Sequence, residues 1–458
     1  MVDSDPEVVL PGRGIAARAV TFVLTVVVGA LLSAFVARPL AATHFLWLPE
    51  IKSQDFLLSL RPKPPRHPDI IEVALNNQRR KLVNADGIPV DGRGVYAALI
   101  RRISADGAKV IVLDAYLPNR TSQRSDEALW KAMADTGKVF LPIKYDPQAP
   151  SQLSEARLRN LHELELSVLH GARTTVIPDA GLESYTWWKF EPPVWDFTRN
   201  AGGDGSAGVG MAVYQPDADG VLRHIQYGYL TNLIYPAGLP ASELQRKWAV
   251  QNVVVPNEVV PAACRMFGVP KELVTFHLGR YIQLAGTRNP PVAMPMDEWG
   301  RAPISFAGAP GVLPVVNAAD VLDGKSPAGA FSGKLVVIGV WGPFAMADNR
   351  VTPVSAQHPR MDITAQALNS ILTRRPLVRL THLCFVPLMF LAIVAGLAIP
   401  APWRAGRAIL NAILALAVYL AAAVLAASFG WLIPVFAAIL LVLMAWLITM
   451  AASVAFPV

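Results

Sequence analysis

Residues 107–114 read Gly107-Ala108-Lys109-Val110-Ile111-Val112-Leu113-Asp114. An unbroken apolar run between a lysine and an aspartate is what a strand buried on both faces requires, and such strands belong to parallel sheets covered by helices. Upstream, Gly94 to Ile103 (GVYAALIRRI) spaces its apolar residues as an amphipathic helix does, and Asp69 to Leu75 (DIIEVAL) is a further β-type run. Downstream, Ser125-Asp126-Glu127-Ala128 opens a helix with a capping residue and early acids, and Lys138 to Ile143 supplies a third strand. The pattern is βαβαβ, which predicts parallel strands with helices packed on the sheet.

Further along, Gly208–Tyr214 and Val221–Tyr229 flank Pro216-Asp217-Ala218-Asp219-Gly220. Asp-Gly between two β-rich runs predicts a β-hairpin insertion. Gly333–Gly339 (GKLVVIG) predicts another buried strand, and Met361–Leu372 a helix leading toward the C-terminal apolar region. The expected middle domain is therefore α/β, with a mixed, largely parallel sheet and a hairpin insertion.

The chain is 53% hydrophobic and 16% charged, where about a quarter charged is usual. Its apolar excess lies at the two ends. A helix crosses about 30 Å of hydrocarbon with roughly 20 apolar residues. Residues 19–37 carry no charge, and the run exceeds the apolar part of a cleaved signal peptide, which favours a retained anchor. Residues 382–399, 408–427 and 431–454 are further apolar runs, separated by the basic loop 400–407 and by Ser428-Phe429-Gly430. The expectation is four transmembrane α-helices, one N-terminal and three C-terminal. Arg13, Arg18, Arg404 and Arg407 orient them. Residues 1–18, 400–407 and 455–458 then lie in the cytoplasm and residues 38–380 outside it. The lipid bilayer is the first expected partner, and the location is a bacterial inner membrane with a large periplasmic or extracellular domain.

The net charge of +7 is explained mostly by arginines flanking the apolar runs. No dense Lys/Arg stretch interleaves with aromatics, which argues against nucleic acid as a partner. Cys264 and Cys384 fall in different segments and read as packing residues rather than a disulfide.

No catalytic constellation emerges, so an enzyme is not expected, and no cofactor or metal is implied. Asp217-x-Asp219-Gly220 is superficially similar to a calcium loop but lacks the third acid and the closing glutamate. His162-Glu163 has no second histidine at zinc-helix spacing. Neither a Gly-x-Ser-x-Gly elbow nor a phosphate loop is present. Four residues are candidates for a ligand. Asp114 ends a buried strand, where open α/β sheets bind ligands. Arg223 lies past the turn, and Asp348 and Thr352 follow the strand ending at Gly339. Plainer roles stand beside these, a turn or cap for Asp114 and a surface ion pair for Arg223.

The order of motifs resembles the CHASE type 2 domain, the cyclase and histidine-kinase associated sensory extracellular domain, over about residues 46 to 378. The resemblance begins at Glu50, Asp55-Phe56 and Arg61-Pro62, and runs through Asp69–Val73, Gly107–Asp114 and Ser125–Leu129. It continues at Pro216–Arg223, Ile304–Gly308, Asn317–Gly324 and Gly333–Gly339, and closes with Asp348 and Thr352-Pro353. Two places depart from the family pattern. Asn76 and Asn77 stand where an acid is common, and Arg360 and Thr364 stand where the last helix usually has a glycine and a histidine. The resemblance implies a receptor that detects an extracytoplasmic signal, an unknown ligand, and relays it. With only Ala455-Phe456-Pro457-Val458 after the last apolar run, the expected version lacks a cytosolic output domain. It would then act through a separate membrane or cytosolic effector, alone or as a homodimer. The alternative is a non-catalytic envelope scaffold or assembly subunit.

Overall fold

The computed structural model describes residues 44–75, 92–146, 189–202, 208–232, 252–285, 291–297, 300–342, 349–379 and 405–436, with short pieces at 173–176 and 184–186 and single residues at 154, 161 and 439. The chain divides into two compact units, residues 63–378 and the flanking residues on either side of them.

Seven strands form the main sheet of unit 63–378: β1 (Ile70–Leu75), β2 (Val110–Leu113), β3 (Val139–Tyr145), β4 (Phe190–Glu191), β5 (Val209–Met211), β6 (Val315–Asn317) and β7 (Leu335–Val340). Their order is β6-β1-β7-β2-β3-β4, with β5 also paired to β3. Only β4 runs antiparallel to its neighbour. The mixed, largely parallel sheet read from the sequence is thus present. Strand β7, far along the chain, slots between β1 and β2.

The helices that accompany this sheet include α1 (Gly92–Ala105), α2 (Gln123–Thr136), α3 (Val259–Phe267), α4 (Ala318–Leu322) and α5 (Arg360–Leu372). Helix α2 starts where the Ser122 side chain accepts the Ser125 N–H, and stops at Gly137, whose φ of 59° closes the last turn. One sheet face, with Val73, Ile111, Leu113, Val336 and Ile338, packs on Leu99, Ile103, Leu129 and Met133 of α1 and α2. The opposite face, with Ile70, Val110, Val112, Leu335 and Val337, packs on Val259, Ala263, Ile363 and Leu368 of α3 and α5. Burial on both faces is why these strands carry no polar alternation.

The Asp-Gly turn forms as its chemistry requires, with the Gly220 N–H on the Asp217 carbonyl at 2.8 Å and Gly220 at φ 78°. The hairpin insertion itself is corrected. Val209–Met211 pairs with β3, whereas His224–Gln226 pairs with Arg301–Pro303, and Val221 bridges Val351. A tight turn fixes a chain reversal, while the partners of its arms are decided by which strand edges stand open beside them.

In the flanking unit, Leu57 of the helix His44–Leu60 is buried together with Val435 and with Ala423 of the helix Ala405–Ser428. The Glu50 carboxylate accepts the Val435 N–H at 2.9 Å, and the Tyr419 hydroxyl donates to the Pro434 carbonyl. Among the described residues no helix is long and apolar enough to cross a membrane. The expectation of four transmembrane helices is corrected accordingly. Segments 19–37 and 382–399, and most of 431–454, lie outside the described residues. Segment 408–427 falls in the helix Ala405–Ser428, and Trp431–Leu432 is a short strand where a helix was expected to begin. An apolar run demands burial without saying what buries it. Here Ala423 finds that burial against protein side chains.

Candidate functional site

Two glycines let two helices close on the carboxyl ends of the parallel strands. A Cβ on Gly339 of β7 would lie 2.7 Å from the Met361 Cβ and 3.3 Å from the Asp114 Cβ, so its absence seats the first turn of α5 beside the end of β2. A Cβ on Gly210 of β5 would meet the Glu258 nitrogen at 2.5 Å, so the start of α3 is admitted in the same way. Ligand sites in open α/β sheets occupy this edge.

The first group gathered there is Asp114, Tyr116, Tyr214, Glu258, Arg360 and Thr364. Arg360 pairs with Asp114 at 2.8 Å and lies 4.2 Å from the centre of the Tyr116 ring. Glu258 Oε1 accepts from the Tyr214 hydroxyl at 3.0 Å and from the Thr364 hydroxyl at 3.4 Å. Among the described residues, Glu258 Oε2 has no hydrogen-bond partner, nor do Nε and Nη1 of Arg360. Glu258 and Thr364 are wholly buried, and Arg360 and Asp114 each keep only 5% of their surface. Burial, seconded by the charge of Asp114, pushes the Glu258 carboxyl up to about 8, against the opposing pull of Arg360. Burial also tends to lower Arg360, but Asp114, Tyr116, Glu258 and Tyr214 outweigh it and raise that group. Tyr214 is raised well above its ordinary value, chiefly by burial and then by Glu258.

A second group lies along the same helix. His358 Nε2 bonds Asp362 Oδ2, His358 Nδ1 lies 2.9 Å from Thr352 Oγ1, and Gln366 Nε2 donates to Asp362 Oδ2 at 3.1 Å. Glu72, in the middle of β1, receives no N–H or hydroxyl donor among the described residues and meets the Asp362 carboxyl instead. Burial, and next the charge of Asp362, raise Glu72 well above the usual carboxylate range. Asp362 goes the other way. Burial would raise it, but the bonds from His358, Glu72 and Gln366 together win and lower it. The contact between the two carboxyls thus favours the protonated form of Glu72 and the ionised form of Asp362.

Of the residues singled out from sequence, Asp114 sits in the first group and Thr352 in the second. Arg223 belongs to neither. It is buried in the turn, paired with Asp217 at 2.9 Å and Asp219 at 2.7 Å, and it is not the surface ion pair the plainer reading expected. The backbone nonetheless brings its strand beside that of Thr352, since the Leu222 N–H reaches the Val351 carbonyl at 2.7 Å. Asp348 lies outside the described residues. The sequence reading missed Glu72, Tyr214, Glu258, His358 and Asp362. Glu72 had a visible signal, a lone acid inside the apolar run of β1, whereas Glu258 stands in no pattern at all.

Chemically, the two groups can hold protons and accept hydrogen bonds. Among the described residues no three His, Cys, Asp or Glu side chains are grouped to hold a metal. In comparisons with known proteins, the family model described as CHASE2 domain matches residues 23–400. No curated protein and no solved structure matches the chain.

Proposed function

This chain belongs to the CHASE2 domain family, a family of sensory extracellular domains, and from that premise we propose that it is a non-catalytic sensor of an extracytoplasmic signal that relays it to a separate partner. The observation that carries this reading is helix α5. All thirteen of its residues are buried, polar ones included, so it is held by specific bonds at both ends. At its start, Arg360, Asp362 and Thr364 hold the strand ends and α3. Near its finish, Asn369 accepts the His67 N–H at 2.7 Å and donates to the Pro65 carbonyl at 3.1 Å. Between them, Gln366 accepts the Ala307 N–H at 2.7 Å. A helix anchored in this way moves as one piece, so a change at its first turn reaches the segment where the chain enters unit 63–378. A signal drives such movement only by favouring one of two arrangements.

The test is crosslinking of the full chain in intact cells, with and without Asn369→Ala, followed by identification of what is captured. A specific partner whose capture weakens in the variant supports relay through α5. A chain that captures no partner, and whose melting responds to nothing in its surroundings, overturns the sensor reading.

A further inference from the structure

The buried groups around α5 contain four carboxyls, on Glu72, Asp114, Glu258 and Asp362, and among the described residues the basic side chains bonded to them are Arg360 and His358. Asp114 has Arg360 and Asp362 has His358. Among the described residues neither Glu72 nor Glu258 has a cation within ion-pairing distance, and a buried carboxylate without one is costly enough that the group keeps its proton instead. The surroundings of Glu258 are fixed on every side. Asp114 faces it from the end of β2, Arg360 and Thr364 from α5, and Tyr214 from the chain after β5, while Tyr116 stacks on the Arg360 guanidinium. On its own helix, Cys264 is buried, while Arg265 lies in the last turn. Lys109 and Arg374 touch only the far end of that helix, at the Met266 carbonyl and the Phe267 ring.

Resting on the sensor reading above, we propose that the signal is the proton itself: Glu258 holds it, releases it to water, and the ionised carboxylate then takes the unused Nε and Nη1 donors of Arg360, drawing the first turn of α5 toward α3. No other bond breaks, and the charge gained by the site is the one negative charge of Glu258. Arg360 suits the part because its planar fork can serve two carboxylates at once, Asp114 through Nη2 and Glu258 through the donors that are idle while Glu258 is neutral. The carboxyl is held up to about 8 in the folded chain against an ordinary 4.5. Between those values the folded state binds more protons than the unfolded one, so stability is full at low pH and falls as pH rises through that interval.

The experiment uses the full chain and buffered pH alone as the probe, from about pH 6 to about pH 9. Infrared spectroscopy follows the protonated-carboxyl band, and hydrogen exchange follows the backbone of α5, in the unaltered chain, in Glu258→Gln and in Glu72→Gln. The expected result is loss of a protonated-carboxyl signal centred near pH 8, with a change in α5 protection over the same range. Both should be absent from Glu258→Gln and kept in Glu72→Gln. Identical profiles in the unaltered chain and Glu258→Gln overturn the proposal, and so does proton release that leaves α5 exchange unchanged. Should Glu258→Gln fail to fold, the titration in the unaltered chain and its persistence in Glu72→Gln still decide. An intact titration coupled to α5, with no partner captured at either pH, supports the proton site and counts against the sensor reading alone.

Discussion

The turn at 217–223 and the groups around α5 both bury acids, and they neutralise them in different ways. At the turn every acid meets a guanidinium. Arg223 holds Asp217 and Asp219, Arg301 holds Asp297 at 3.0 Å, and His224 stands 3.2 Å from Asp217. Around α5 the carboxyls outnumber the cations, and protons make up the difference. A fixed cation gives a charge balance that does not vary with pH below its own deprotonation. A proton gives one that varies within reach of physiological pH. The first arrangement suits a structural clamp and the second a site with two states.

The contrast is sharpest in its largest expected effect. Arg223→Met removes the guanidinium shared by two buried carboxylates, leaving Asp217 with His224 and Arg301 at 4.0 Å, and should cost about 3–5 kcal/mol, measured by urea denaturation at neutral pH. A loss below about 1 kcal/mol would mean the turn is solvated and not clamped. At α5 the matching change is milder, because a competitor stands ready. In Asp114→Asn, Arg360 can turn to Glu258, so the expected cost is about 1–2 kcal/mol. The Glu258 titration should move to lower pH, since the charge of Asp114 is one of the causes holding it near 8. A titration that stays in place would break the idea that one guanidinium serves both acids. The smallest effect belongs to Glu72→Gln. An amide keeps a donor for Asp362, so stability at neutral pH should change by about 1 kcal/mol or less. The raised Glu72 loses stability as pH climbs, so its removal should flatten that part of the stability curve. Asp362, whose value is lowered, contributes stability that is lost as pH falls through that lowered value. The acid limb should therefore remain in the variant. Calorimetry across pH reads both limbs, and an unchanged basic limb would show that Glu72 is not the proton holder.

Sequence alone determined β1, β2, β3 and β7 and the helices α1, α2 and α5, because burial on both faces leaves an unbroken apolar run such as Val110–Leu113 whatever its neighbours are, but it left α3 unread. It also determined the Asp217–Gly220 turn, whose chemistry is local, and the family, whose motifs recur in order. It could not say that β7 lies between β1 and β2, since pairing joins residues hundreds of positions apart. Nor could it say what covers an apolar segment, which is why residues 408–427 read as a membrane span and Ala423 proved to pack against Leu57 and Val435. The candidate site was legible at Asp114, from its place at a strand end, and at Arg360 and Thr364 only as departures from a pattern. Glu258 and Tyr214 are separated by 44 residues and joined by one hydrogen bond. Only the tertiary structure decides that a glutamate meets a tyrosine and a threonine in a dry interior, because local sequence carries no record of the dielectric that surrounds a side chain.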